Sequence, residues 1–446
     1  MVRAIWWVEG AWLALSLALA YVIASRVWSR GTGLACAALL FVGLWSPSWG
    51  GFWSRAQAEE LLALPMLGAA WLAWRSVERV RLTAWAGALT GVCGLYKIPS
   101  MAIGGAFLVT WLLTVPRAGV ARRAALFACG IAVPWLVVSA WFAAHHALGD
   151  FATGVFVYHR YNAAFISPPW IEVLRAFTET MLARASLLLA AAAVGLYAMA
   201  KRGARELRWM APWIAFTMAA VVLQRQLADY HYLLAMPALA FAGGYGVRAM
   251  TRNLTHADPG DRALAIASLV ALLLLGVREG RAWISAYAPD ARFLTGRLSR
   301  DAYLHEIQQG NYSLSDEEAA ARYVRNHTSP SDGVLVWGLS PGLYALADRH
   351  PVTRFPFHKI LMTDAPLSRM WPGLDDRRAD FMARLRADPP AYILVGHADR
   401  NGFEPQDSFT SMTRFRELHE LIQREYHWET EIGHFVVFHH EPPVAP

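Results

Sequence analysis

Between residues 11 and 278 the chain is cut into apolar blocks of about 15–20 residues, each long enough to cross a hydrocarbon core of about 30 Å. About ten such blocks are read, near 11–27, 33–49, 58–75, 83–96, 100–116, 124–144, 182–200, 209–224, 231–248 and 263–278. After residue 280 the blocks stop and ordinary mixed sequence begins. The expected fold is therefore a polytopic α-helical membrane domain over 1–280, followed by a C-terminal α/β domain over 281–446. Only 17% of residues are charged, against roughly 25% in soluble chains.

The net charge of +7 does not point to nucleic acid. Basic residues cluster in short turns between apolar blocks, where membrane topology accounts for them. One set is Arg26 and Arg30, the next Arg75, Arg79 and Arg81, and the next Arg117, Arg122 and Arg123. Two more are Lys201, Arg202, Arg205 and Arg208, and then Arg248, Arg252 and Arg262. These are alternate turns, so the positive-inside rule makes them cytoplasmic. The connections 46–57, 97–100, 145–181 and 224–230 then face outward, as does the tail. Of 41 basic residues only Lys97, Lys201 and Lys359 are lysine, which together with the alanine content fits a GC-rich bacterial genome. The expected location is a bacterial inner membrane, with the tail periplasmic or extracellular. This orientation also puts the N-terminus outside, with ten residues before the first block and no cleavable signal. A preceding helix would repair the topology, so the reading frame is expected to begin further upstream or the gene to be truncated.

The long connection 145–181 holds aromatics, then Ser167-Pro168-Pro169-Trp170 and an amphipathic stretch over 171–178, as suits a helix lying in the membrane interface. In the tail, Ser315 and Glu318 have capping-box spacing and open a helix to about Asn326. Apolar runs at 333–338, 391–396 and 434–439 read as strands, and 375–387 and 412–424 as helices, which predicts a small, largely parallel sheet. Cys36, Cys93 and Cys129 all lie in apolar blocks, so the tail has no disulfide or zinc-type cysteine spacing. The adjacent pairs His145-His146 and His439-His440 lack helical metal-ligand spacing, and no metal is expected.

Ionisable residues at the outward ends of apolar blocks are the candidates for chemistry, because such groups are costly there. They are Arg55, Glu59 and Glu60 at the third block, Lys97 after the fourth, and His159 and Arg160 in the long connection. Arg225, Asp229 and His231 lie around the eighth-to-ninth turn, beside Tyr230 and Tyr232. Arginine and lysine could grip a lipid phosphate, and a carboxylate could act as general base on a hydroxyl.

Five stretches carry a family likeness: RAQAE (55–59), GALTGVCGLYKIP (87–99), DYHYLLAMP (229–237), the tail run 324–355 with Trp337-Gly338 and Arg354, and PPAYILVG (389–396). The chain resembles bacterial membrane glycosyltransferases of the GT-C fold, family 39-like, related to protein O-mannosyltransferases. The resemblance implies inverting transfer of a sugar from a polyprenyl-phosphate carrier to a glycan, lipid or protein acceptor on the outer face, without a cofactor. It also implies a carboxylate base and cations that hold the departing lipid phosphate. On that reading Glu59 is the catalytic candidate. Arg55, Lys97, His159, Arg160, Arg225, Tyr230, His231 and Tyr232 would bind substrate, with Lys97 and Arg225 on the phosphate. The family's catalytic aspartate lies in a loop between its first and second helices, and that loop has no counterpart here; Glu9 and Glu59 are the nearest carboxylates. A transporter of lipid-linked substrates and a non-catalytic assembly protein of envelope polysaccharide synthesis are the competing expectations.

Overall fold

The computed structural model describes residues 2–49, 56–157, 160, 168–256, 258–308, 313–362, 373–400 and 406–441. Its contacts divide the chain into one compact unit of Arg3–Ala286 and another that holds Tyr287–Pro446. In the first unit each apolar block is helical. The helices are Val2–Val27, Arg30–Trp45, Ala63–Arg75, Leu82–Tyr96, Ile103–Thr114, Arg117–Ala144, Ser186–Lys201, Leu207–Leu223, Met236–His256 and Pro259–Leu294. Far fewer are long enough to span. Among the described residues five stretches combine the length and apolarity needed to cross a membrane: Trp7–Val27, Arg30–Trp49, Arg117–Ala144, Asp229–Thr255 and Pro259–Leu294. A sixth is added if Trp170–Arg184 and Ser186–Lys201, bent by 92°, count as one.

The shortfall has local causes. The third block breaks at Leu62 into Ala58–Leu61 and Ala63–Arg75. The fourth, Leu82–Tyr96, has 15 residues and at 1.5 Å per residue reaches only about 22 Å. The fifth begins as a 3₁₀ turn, Ile98–Ala102, carrying Pro99 in its first turn. The amphipathic stretch extends over Trp170–Arg184, burying Val173 and Met181 while Trp170, Ile171, Leu174 and Leu182 stay exposed.

Helices in this unit approach until backbones nearly touch. A Cβ on Gly130 would stand 2.1 Å from the Ala84 carbonyl oxygen, and one on Gly87 2.2 Å from that of Phe127. The same holds between Ser186–Lys201 and Met236–His256, where a Cβ on Gly195 would lie 1.9 Å from the Ala242 oxygen. Small residues at helix crossings let dispersion contacts form along whole backbones. Every residue from His231 to Gly246 is buried, so this stretch is the centre of the unit. Pro259–Leu294 and Arg117–Ala144 are the opposite, with Leu273, Leu274, Val133, Leu136 and Val137 all exposed. Arg123 is buried yet fully used: its guanidinium donates to the carbonyls of Ser76 (3.0 and 3.2 Å), Val77 (3.0 Å) and Gly119 (3.2 Å).

The second unit is built on a four-stranded sheet of β1 (Val334–Trp337), β2 (Tyr392–Gly396), β3 (Tyr426–Ile432) and β4 (Phe435–His440), in the order β1-β2-β4-β3. Only β1 and β2 are parallel; β4 runs antiparallel to both β2 and β3. The expectation of a largely parallel sheet is thus corrected to a mixed one. The reason is a tight hairpin in which Gly433 takes a positive φ of 52°, and which adds the strand β3. One face packs Leu335, Trp337, Phe381, Val395, Phe415 and Leu418; the other packs Ala320, Val324, Val336, Leu343, Leu394 and Val437. The helix that the capping-box reading placed from Ser315 starts slightly earlier, after the helix Arg300–Ile307. Its cap is Ser313, whose hydroxyl accepts the Asp316 N–H at 3.2 Å, and the helix runs Leu314–His327.

Overpacking a tight site typically costs about 1–3 kcal/mol. Because the obstacle at Gly130 is backbone, we expect Gly130→Leu to lower the thermal midpoint of the detergent-purified protein by several degrees or abolish the folded peak in gel filtration. Gly276→Leu, at a position with nothing within 4 Å of the added Cβ, should leave both unchanged.

Candidate functional site

Three interruptions in the helices of the first unit meet around one carboxylate. The short helix Ala58–Leu61 carries Glu59 in its first turn. The helix Leu82–Tyr96 ends where Lys97 turns to extended backbone (φ −162°). The 3₁₀ segment Asp229–Ala235 delivers Tyr230, His231 and Tyr232 just before Met236. Proline suits a helical first turn, because its missing N–H has no intrahelical acceptor there; Pro99 and Pro237 occupy such positions.

The Glu59 side chain is 1% exposed. Lys97 donates its ammonium to Glu59 Oε1, and His231 Nε2 lies 3.8 Å from the same oxygen. The Lys97 ammonium also sits 5.5 Å from the centre of the Tyr230 ring, within cation–π range. Tyr230 in turn meets the His231 ring edge-on at 4.8 Å. Glu59, Lys97, Tyr230 and His231 thus form one cluster. A buried carboxylate is tolerable because a cation faces it, and either charge left alone would be strongly unfavourable.

The other candidates sit differently. Tyr232 is fully buried, stacked between Trp49 (5.4 Å) and Phe177 (5.8 Å). Its ring packs between those two aromatics. Arg225 has positive φ (58°), donates to the Pro168 carbonyl and lies 4.8 Å over Trp170, so it fastens the start of the helix Trp170–Arg184. Arg160 is exposed. Arg55 and His159 lie outside the described residues.

Residue-type reasoning passed over Arg184 and Glu279 and gave Glu9 no partner. Arg184 pairs with Asp229 at 2.5 Å and donates to the Ser48 carbonyl at 2.9 Å, tying three segments beside the cluster. An arginine inside an apolar block was the available signal. Glu9 is buried and accepts the Ala56 N–H at 3.0 Å, joining the first helix to the strand of chain that leads into Glu59. Glu279 is buried too, accepting from Ser46 Oγ and from Trp283 Nε1 at 3.1 Å.

Chemically, the cluster offers an ammonium that can transfer from a carboxylate to an incoming anion, and a carboxylate that can take a proton once the ammonium has moved. Breaking the pair from one side should cost about 3 kcal/mol. In a double-mutant cycle on thermal unfolding, Glu59→Gln and Lys97→Met should each destabilise, and the double variant by clearly less than their sum. Additive losses would mean that the two charges do not depend on each other. Comparison of the chain with protein-family models and with curated protein sequences returns no match, so any functional reading rests on this geometry and on the sequence.

Proposed function

We propose that the chain is a membrane glycosyltransferase that moves a sugar from a polyprenyl-phosphate carrier to an acceptor hydroxyl at the outer face of a bacterial inner membrane. The observation that carries the reading is the buried Glu59 carboxylate, held by Lys97 and faced by His231 where three helix breaks meet. The exposed apolar sides of Arg117–Ala144 and Pro259–Leu294 support placement in lipid, since apolar surface of that extent is costly in water. Basic residues at alternate turns support an orientation that puts the cluster at the outer end. Trp170–Arg184, bent 92° from the next helix with aromatic and aliphatic residues outward, suits a helix lying in the headgroup layer. The likeness of the motifs at 55–59, 87–99 and 229–237 to GT-C enzymes is consistent with the same site, because those motifs contain Glu59, Lys97 and His231.

In the proposed step the acceptor hydroxyl oxygen bonds to the anomeric carbon as the bond from that carbon to the phosphate oxygen breaks. The electron pair leaves on the lipid phosphate, and the hydroxyl proton passes to Glu59. Lys97 moves from Glu59 onto the departing phosphate, which neutralises the developing charge and leaves the carboxylate free to accept the proton. His231, whose Nε2 lies 3.8 Å from Glu59 Oε1, borders the same oxygen.

Turnover of radiolabelled polyprenyl-phosphate sugars by the purified chain tests this. Transfer by the wild type is expected, with Glu59→Gln lowering kcat by about 10²–10⁴ and Lys97→Met raising the donor KM as well. A wild-type chain that transfers no sugar from any carrier of the panel, or a Glu59→Gln variant with unchanged kcat, would sink the proposal.

A further inference from the structure

The β3–β4 hairpin of the second unit brings together three side chains that the sequence keeps apart. His427 and His439 are register partners across the two strands. Glu429 is two residues beyond His427, and alternation puts i and i+2 on one strand face. The register shifts between Trp428 and Thr430, so Glu429 is the bulged residue and the bulge re-aims its carboxylate. Their nitrogen and oxygen donor atoms all lie within 4.8 Å of one another. From this we propose that His427, Glu429 and His439 form a site for a divalent transition-metal ion of the zinc type, independent of the reading of the helical unit.

The Glu429 carboxylate is already oriented by its neighbours. Glu429 Oε1 accepts hydrogen bonds from the Tyr323 hydroxyl and from the Tyr392 hydroxyl at 3.2 Å. Oε2 is left facing the imidazoles, 3.7 Å from His439 Nδ1 and 4.0 Å from His427 Nε2. The other nitrogen of His427, Nδ1, lies 3.3 Å from Glu441 Oε2. An outer carboxylate that accepts from one imidazole nitrogen fixes the tautomer and points the other nitrogen at an ion, and Glu441 stands within reach of that role. Two ligands about 2.1 Å from a tetrahedral ion stand roughly 3.4 Å apart, so small side-chain rotations close the site.

Two imidazoles and one carboxylate select zinc, cobalt, nickel or copper over calcium and magnesium, which take oxygen ligands. Three protein ligands leave at least one position to water, the pattern of an open rather than a closed structural site. The adjacent pair His439-His440 concealed this arrangement in the sequence. The two histidines point to opposite faces of β4, His439 toward His427 and His440 toward Tyr426 at 5.0 Å.

The test is zinc titration of the full chain in detergent, stripped with chelator and read by competition with a chromophoric chelator, with cobalt as a visible-absorption probe. One ion per chain is expected, with a cobalt d–d band. His427→Ala and Glu429→Gln should each weaken binding roughly 100-fold or more, and Tyr392→Phe about tenfold. His440→Ala should leave affinity unchanged. His427 is on an edge strand and 40% exposed, so its removal spares the core, and far-UV circular dichroism checks that. Absence of zinc binding by the wild type, or affinity unaltered in both His427→Ala and Glu429→Gln, would overturn the site and leave only a polar cross-strand ladder.

Discussion

A carboxylate buried in an apolar bundle needs donors or a cation against it, and the cluster around Glu59 is organised around that requirement. Glu59 is nearly inaccessible, and Lys97 comes to it from another segment. That single contact fixes where the helix Leu82–Tyr96 stops, because Lys97 must leave helical geometry there. It also fixes the neighbourhood of Asp229–Ala235, whose His231 faces the same oxygen and whose Tyr230 lies under the ammonium. Burying charge rarely stabilises a fold outright, since desolvation offsets the attraction. A buried pair retained at a meeting of three helix breaks is better explained by what it does than by what it holds together.

Around this point the two units solve packing differently. The helical unit has little polar surface to pair and relies on glycine and alanine crossings such as Gly130 against Ala84 and Gly195 against Ala242. The second unit closes two apolar clusters on the two faces of a mixed sheet, with the fully buried Trp337 hydrogen-bonded through Nε1 to Ser411 Oγ at 3.0 Å. Its edge strand β3 carries polar side chains at most positions, and those are the ones that assemble beside β4.

Sequence patterns revealed whatever depends on local composition. Runs of apolar residues located the helices of the first unit, and ionisable residues at the ends of those runs include Glu59, Lys97 and His231, which the structure brings together. Local composition carries no register or packing partner, and the misses follow from that. The break at Leu62 is announced only by Pro65, which cannot donate to the Leu61 carbonyl and so opens the next helix. Nothing in the sequence placed Tyr232 between Trp49 and Phe177, which enclose its ring. The strand β3, with sequence YHWETEI, lacks the apolar run that marks a buried strand, so the antiparallel hairpin went unseen. Without the hairpin there was no way to place His439 beside His427. The contacts of Arg225 with Pro168 and Trp170 were likewise invisible in the sequence.

The central claim is that Lys97 is released from Glu59 to a lipid phosphate. Its most direct test is equilibrium binding of a polyprenyl phosphate, set against the corresponding polyprenol, by the purified wild-type chain and by Lys97→Met. The account predicts binding that requires the phosphate and weakens at least about tenfold, or roughly 1.4 kcal/mol, in the variant. Equal binding of phosphate and alcohol, or an unchanged affinity in Lys97→Met, would contradict it.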